Sequence, residues 1–252
     1  MAAPAIEEEE ASLAANPRLI SEEAEAVLDH LIDGNPGNRW LHMHRDIIRA
    51  ARAASVKYAY AEHRRLLWRE GAAKALATWF SAAREELRGV MAEEKVLLLS
   101  EEATSQAESM LATSARTPDL IWRMGLLALC RYDGEEAAFQ VSADPDNLRQ
   151  PPGSRALTAF EPRHLALARL RAGLDPDDPE AAFVHAVLAL AAGLAAEADE
   201  AIGRCAEAST SWDRRARAVH LTELTTIRPD LADGLTRLRS IMAASEKSMP
   251  QR

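Results

Sequence analysis

The stretch LISEEAEAVLDHLI (19–32) returns as LLSEEATSQAESML (98–111). In both, Ser (Ser21, Ser100) stands before two glutamates and an apolar row. A serine oxygen can take a free amide at a helix start, and glutamates there meet the positive end of the helix dipole. Each stretch therefore opens a helix. The offset is 79 residues, and it holds without gaps over 19–60 and 98–139. It sets Ile47-Ile48 on Leu126-Leu127, Arg52 on Arg131, and Ala59-Tyr60 on Ala138-Phe139, with eight identities in all. A repeat of two or three helices cannot cover its own apolar face, and stacked copies bury a continuous core. The reading is an all-α chain of about ten helices in a helical repeat, a short α-solenoid.

Composition agrees with helices. The chain has 252 residues, 48% of them apolar but only 5% aromatic, with 11 Gly. Ala, Leu, Glu and Arg are abundant, and no run of alternating β-branched residues is long enough for a strand. Further helices are expected over about 39–53, with Leu41, Ile47, Ile48 and Ala51 inward, and 55–69, with Tyr58, Leu66 and Leu67 inward. Gly71 reads as a weak break. Thr117-Pro118-Asp119 opens a helix holding Leu120, Trp122, Leu126, Leu127 and Cys130. Asp178 and Pro179 read as cap and first residue of a buried helix. Residues 1–15 read as an acidic flexible tail and 16–140 as the two-copy repeat. Pro145, Pro151, Pro152 and Gly153 mark 141–162 as a linker, and 163–245 as a second helical domain.

The repeat residues carry a family resemblance. Leu98, Leu99, Ser100, Glu102, Ala103, Leu126, Leu127, Cys130, Gly134, Glu136, Ala137, Ala138 and Phe139 resemble repeats in actinobacterial proteins with tetratricopeptide-like arrays. The first copy keeps Pro17, Leu19, Ser21, Glu23, Ala24, Leu28 and Tyr60. Some of those proteins end in a caspase-like CHAT protease domain, which has no counterpart here, so no catalytic activity is implied. The resemblance spans roughly 12–140. It implies a surface that holds other macromolecules. Ala186, Gly193, Ala198 and Ile202 are similar in spacing to tetratricopeptide positions, but Ala182, Ala189 and Ala195 stand where that repeat has large side chains.

Charge is uneven. The chain carries −9 overall, which argues against a general nucleic-acid binder. Within 39–69, eight basic residues face only Asp46 and Glu62. Arg45, Arg49 and Arg52 fall at i, i+4 and i+7 and share one helical face. With Arg64 and Arg65 they are the candidate partner-binding residues, for an acidic protein first and nucleic acid second. The competing reading is a solvated face or pairing with the chain's own acids.

No catalytic, cofactor or metal residues are assigned. Cys130 and Cys205 lie in apolar patterns and read as buried packing residues, although His164 or His185 could stand near one as a base. His42 and His44 do not share a helix face. Gly34-Asn35-Pro36-Gly37 lacks the Lys-Ser/Thr of a phosphate loop, and Asp175 to Pro179 reads as a capped turn. Two cysteines, no basic-then-apolar leader and no span of about 20 apolar residues place the chain in the cytoplasm, off the membrane. The leading expectation is a non-catalytic interaction scaffold. The alternatives are a regulatory nucleic-acid binder using the 39–69 face and a helical enzyme with dispersed site residues. Self-association is a further expected way to cover terminal apolar faces.

Overall fold

A computed structural model describes residues 3–144, 148 and 154–244. Pro145, Pro151, Pro152 and Gly153 of the expected linker, and residue 245 of the expected second helical domain, lie outside them. The described residues are helical with no strand, and they form fourteen α-helices rather than ten. These are α1 (Ala3–Ala15), α2 (Glu22–Gly34), α3 (Arg39–Ala53), α4 (Val56–Ser81), α5 (Leu87–Leu98), α6 (Glu101–Thr113) and α7 (Pro118–Asp133). Then follow α8 (Glu135–Ala143), α9 (Ser154–Thr158), α10 (Pro162–Leu174), α11 (Pro179–Ala191), α12 (Ala195–Ala208), α13 (Ser211–Ile227) and α14 (Ala232–Ala244).

Local chemistry sets the starts. The Ser21 and Ser100 hydroxyls accept from the amides of Ala24 and Ala103, and Thr117 accepts from Leu120. Asp178 caps α11 through the Glu180 amide, with Pro179 in the first turn. Gly134, at φ 84°, turns the chain between α7 and α8 in a conformation that side chains resist.

The 79-residue offset holds for the helices themselves. The ends of α2 lie 79 residues before those of α6, and the starts of α3 and α4 lie 79 before those of α7 and α8. Burial follows the same register. Ile32 and Leu111, Ile47 and Leu126, Ala51 and Cys130, Ala59 and Ala138, and Tyr60 and Phe139 are all buried pairs.

Three expectations are corrected. Residues 3–15 form α1 rather than a frayed tail: Ile6 and Leu13 pack on the core around Ile47, Ala51 and Tyr60. Glu9 bonds the His44 ring at 2.7 Å, and Glu10 accepts from Arg64 at 2.6 Å. Gly71 does not interrupt α4, because one glycine costs a helix only about 1 kcal/mol and 26 residues of ladder outweigh it. Tyr58, Leu66 and Leu67 are exposed, whereas Ala59 and Tyr60 are buried.

The chain divides into two compact units, 1–71 and 72–252, so the division falls inside α4 and not in the Pro-rich stretch. The first unit gathers its core from α1, α3 and the start of α4. In the second, Trp79, Leu87, Met91, Leu111, Leu126 and Leu129 belong to one core. Phe183, Leu188, Ile202, Leu221 and Leu238 belong to another, built on α11 to α14. Trp79 Nε1 donates to the Arg123 carbonyl at 3.4 Å, while Arg123 donates back to the Trp79 carbonyl at 2.8 Å.

Helices α7 and α10 share the most extensive contact of any helix pair in the second unit. A Cβ placed on Gly125 would lie 2.7 Å from both the Ala166 carbonyl oxygen and the Leu170 nitrogen. One on Gly173 would lie 2.5 Å from Trp122 Cβ and would run into the Pro118 carbonyl. Two glycines, one per helix, let the backbones touch.

Candidate functional site

Each unit holds a concavity of its own. In the first, α3 and α4 line a groove of about 540 Å³. Its floor is Met43, Ile47, Ala50 and Ala59. Trp40, 49% exposed, and Leu66, 54% exposed, flank it without cover. Three carboxylates (Asp46, Glu62, Glu70) stand on its rim against one guanidinium, Arg39. His63 also lines it, and burial, helped by His44, holds its pKa below the ordinary value. Arg45, Arg65 and Arg39 pair with these carboxylates at 3.2, 3.7 and 3.9 Å, so the groove is apolar within and edged by ion pairs.

The basic row lies on the same α3 helix but already has partners. Arg45 bonds Asp46 at 3.2 Å and Asp29 at 3.5 Å. Arg49 bonds Glu25 at 2.6 Å, and Arg52 bonds Glu22 and Glu25 at 2.5 Å each. Arg64 pairs with Glu10, and Arg65 with Glu62 at 3.7 Å. The hydrogen bond from Arg49 is the main reason that the Glu25 carboxyl lies below its usual range. The α2 glutamates that mark the helix start thus also meet the α3 arginines. Sequence separates these partners by up to 30 residues, which is why the row reads as free when taken alone.

In the second unit, Leu98, Ala107, Met124, Leu127, Phe160 and Leu165 enclose most of a cavity of about 340 Å³. Its polar wall is Glu108, Arg131, Arg169 and Thr104, with Arg131 bonded to Thr104. Arg169, 2% exposed, forks onto Glu197 with two bonds of 2.8 Å and onto Glu108 at 2.9 and 3.1 Å. Behind it, His185 Nε2 meets Glu197 Oε1 at 2.6 Å. Burial opposes the Arg169 charge, but Glu197 and Glu108 outweigh burial and raise its pKa. His185 is wholly buried, and desolvation lowers its pKa despite Glu197. Its Nε2 faces the Glu197 carboxylate as a donor, and Nδ1 has no hydrogen-bond partner among the described residues.

Sequence reading missed this cluster. Its one local sign is that Arg169 sits four residues after Leu165 and three after Ala166, on the apolar face of α10. His42 Nε2 lies 2.9 Å from the Pro36 carbonyl oxygen, and His44 reaches Glu9. Among the described residues, no group of three or more His, Cys, Asp or Glu gathers as a metal site, and no helix is long and apolar enough to cross a membrane.

Cys130 and Cys205 are both buried and unpaired. Burial pushes the Cys130 thiol up to about 12 and raises that of Cys205. Neither approaches the thiolate that a nucleophile needs. Ellman's reagent is expected to find no reactive thiol in the folded chain and both after unfolding. Rapid reaction of one thiol in the native protein would mean that its helix opens far more readily than its burial implies.

Comparison with protein-family models, curated proteins and solved structures returned no match.

Proposed function

We propose that the chain is a non-catalytic interaction scaffold built from a duplicated helical unit, in the manner of tetratricopeptide-like arrays. The observation that carries this reading is the uncovered α3–α4 groove, with Trp40 and Leu66 exposed in a chain whose other large apolar side chains mostly find a core. Exposed apolar surface with a polar rim is the usual mark of a protein-binding face. The 79-residue register of helices and buried positions supports the duplication.

The two alternatives have less behind them. Arg45, Arg49 and Arg52 each bond a carboxylate of their own unit, and a row neutralised in this way offers little to phosphates. The second-unit cavity has a single carboxylate in its wall, Glu108, which is engaged by Arg169. General acid–base chemistry needs a group free to exchange a proton with substrate.

Affinity capture from host lysate, with mass spectrometry and nucleic-acid quantification of the eluate, tests the reading. A dominant protein partner that persists at about 0.15 M salt, where surface charges are screened beyond ~8 Å, is the expected result. Nucleic acid without such a protein, lost steeply as salt rises, would overturn it.

A further inference from the structure

The cavity of the second unit has one unspent charge. Leu98, Met124, Leu127, Phe160 and Leu165 make most of its wall apolar. Two of its charged groups are matched: Glu108 takes two bonds from Arg169, and Glu197 takes the rest of the Arg169 fork. Arg131 is different. It lines the cavity from an exposed position. No carboxylate among the described residues pairs with it, and its one hydrogen-bond partner among them is the neutral Thr104 hydroxyl. That hydroxyl donates its own proton to the Ser100 carbonyl at 3.0 Å. A guanidinium carries five N–H donors, so most of those on Arg131 are open to a ligand. Tyr132, the next residue and 50% exposed, also lines the cavity, and its phenol has no hydrogen-bond partner among the described residues.

We propose that this cavity binds a medium-chain monocarboxylate, its alkyl tail among Met124, Leu127 and Leu165 and its head on Arg131. The wall sets the tail, since a polar chain would give up hydrogen bonds to water that these side chains cannot replace. The volume sets the length. At roughly 30 Å³ per heavy atom, the share of a water in the liquid, a cavity of about 340 Å³ takes about eleven such atoms, a chain of about eight to ten carbons. The charge sets the head. One unpaired cation calls for one negative charge, and the flat guanidinium fork matches a carboxylate edge to edge. The Tyr132 phenol supplies a further donor. An ammonium head would meet Arg131 as a like charge and is refused. Glu108 stands four residues beyond Thr104, about 6 Å along α6, so the head sits at the Thr104 end and away from that carboxylate. Ligand binding here goes beyond the scaffold reading and does not depend on it, because the open groove belongs to the first unit and this cavity to the second.

Titration calorimetry of the full-length chain with sodium decanoate tests the proposal, with decylamine as the control of equal tail and opposite charge. One saturable decanoate site per chain is expected, with a Kd on the order of 0.1 mM for a ligand of this size, and no saturable decylamine site. Arg131→Gln is expected to weaken decanoate by about tenfold or more, through loss of the charge-assisted bonds. The side chain is exposed, so unchanged circular dichroism should accompany that loss. Arg131→Lys keeps the charge without the fork and should fall between the two. Ala128, partly buried on the cavity wall, offers a second variant. Ala128→Leu narrows the space and should turn the preference from decanoate toward hexanoate. No saturable decanoate binding up to about 5 mM, a weak-binding limit, would overturn the proposal. Equal binding of decanoate and decylamine would do the same, since it marks apolar surface without head-group selection. Decanoate that binds Arg131→Gln and Ala128→Leu as tightly as the parent lies elsewhere on the chain, and this result too would overturn it.

Discussion

Glu197→Ala is expected to lower the stability of the fold by about 3–5 kcal/mol, the range for removing one partner of a buried ion pair. Glu197 is 3% exposed and accepts two bonds from Arg169 and one from His185. Without it, Arg169 keeps only Glu108, which is itself partly open to water. Two buried donors then lose their acceptor. Urea unfolding followed by circular dichroism reads the change as a shift in midpoint at constant slope. A loss below about 1 kcal/mol, the worth of an exposed pair, would show that water reaches the cluster. Replacing the buried cluster together, Arg169→Met with Glu197→Leu and His185→Leu, should recover most of the loss, because an apolar set of similar volume has no desolvation penalty to offset and leaves no buried donor without its acceptor.

Acid pH acts on the same cluster with a defined sign. Burial raises the Glu197 carboxyl, but the bonds from Arg169 and His185 outweigh it and hold the group below the usual carboxylate range. A depressed carboxylate stabilises the fold above its unfolded pKa, about 4.3, and that contribution disappears as pH falls through the folded value. His185 is depressed as well, here by burial. Its contribution is complete above the unfolded value of about 6.5 and is lost as pH falls toward the folded one. The fold should therefore weaken first below about pH 6.5 and more steeply below about 4.3. His185→Gln is expected to remove the upper step and leave the lower. Parallel pH profiles for parent and variant between pH 7 and 5 would show that His185 titrates normally.

The second large effect is expected at Gly125. Glycine in a helix interior is ordinarily a weakness, and Gly→Ala gains up to about 1 kcal/mol. At Gly203 in α12 nothing lies within 4 Å of an added Cβ, so Gly203→Ala should stabilise by about that amount. At Gly125 the added atom meets the backbone of α10 at two points. Backbone cannot turn aside as a side-chain tip can. Gly125→Leu must separate α7 from α10 and is expected to lose about 3 kcal/mol or more, the upper end for overpacking. Thermal unfolding of the two variants side by side reads opposite signs. A stabilised Gly125→Leu protein would mean that the helices are not in contact.

Helix starts were legible because capping is local. Ser21, Ser100, Thr117 and Asp178 each use an amide two or three residues on, and that distance is fixed once a helix begins. The inward face of α3 was legible for the same reason, since 3.6-residue periodicity places Leu41, Ile47, Ile48 and Ala51 together. In α4 the same argument chose the wrong face. Leu66, Leu67 and Tyr58 outrank Ala59 in hydrophobicity, yet Ala59 and Tyr60 are buried. Periodicity says which residues share a face. It does not say which face meets a neighbour.

The sequence by itself determined that this chain is helical, where most helices begin, that two stretches run in a 79-residue register, and which positions of that register are apolar. All of these follow from interactions spanning a few residues or from comparing the chain with itself. The tertiary structure alone decided the rest. It turned the arginine row from a free surface into a set of internal pairs and brought Arg169, Glu108, Glu197 and His185 together. It made Gly125 and Gly173 points of backbone contact between α7 and α10, and it left Trp40 and Leu66 uncovered beside the α3–α4 groove. Each of these depends on a partner tens of residues away, and one-dimensional spacing does not encode which distant helix arrives.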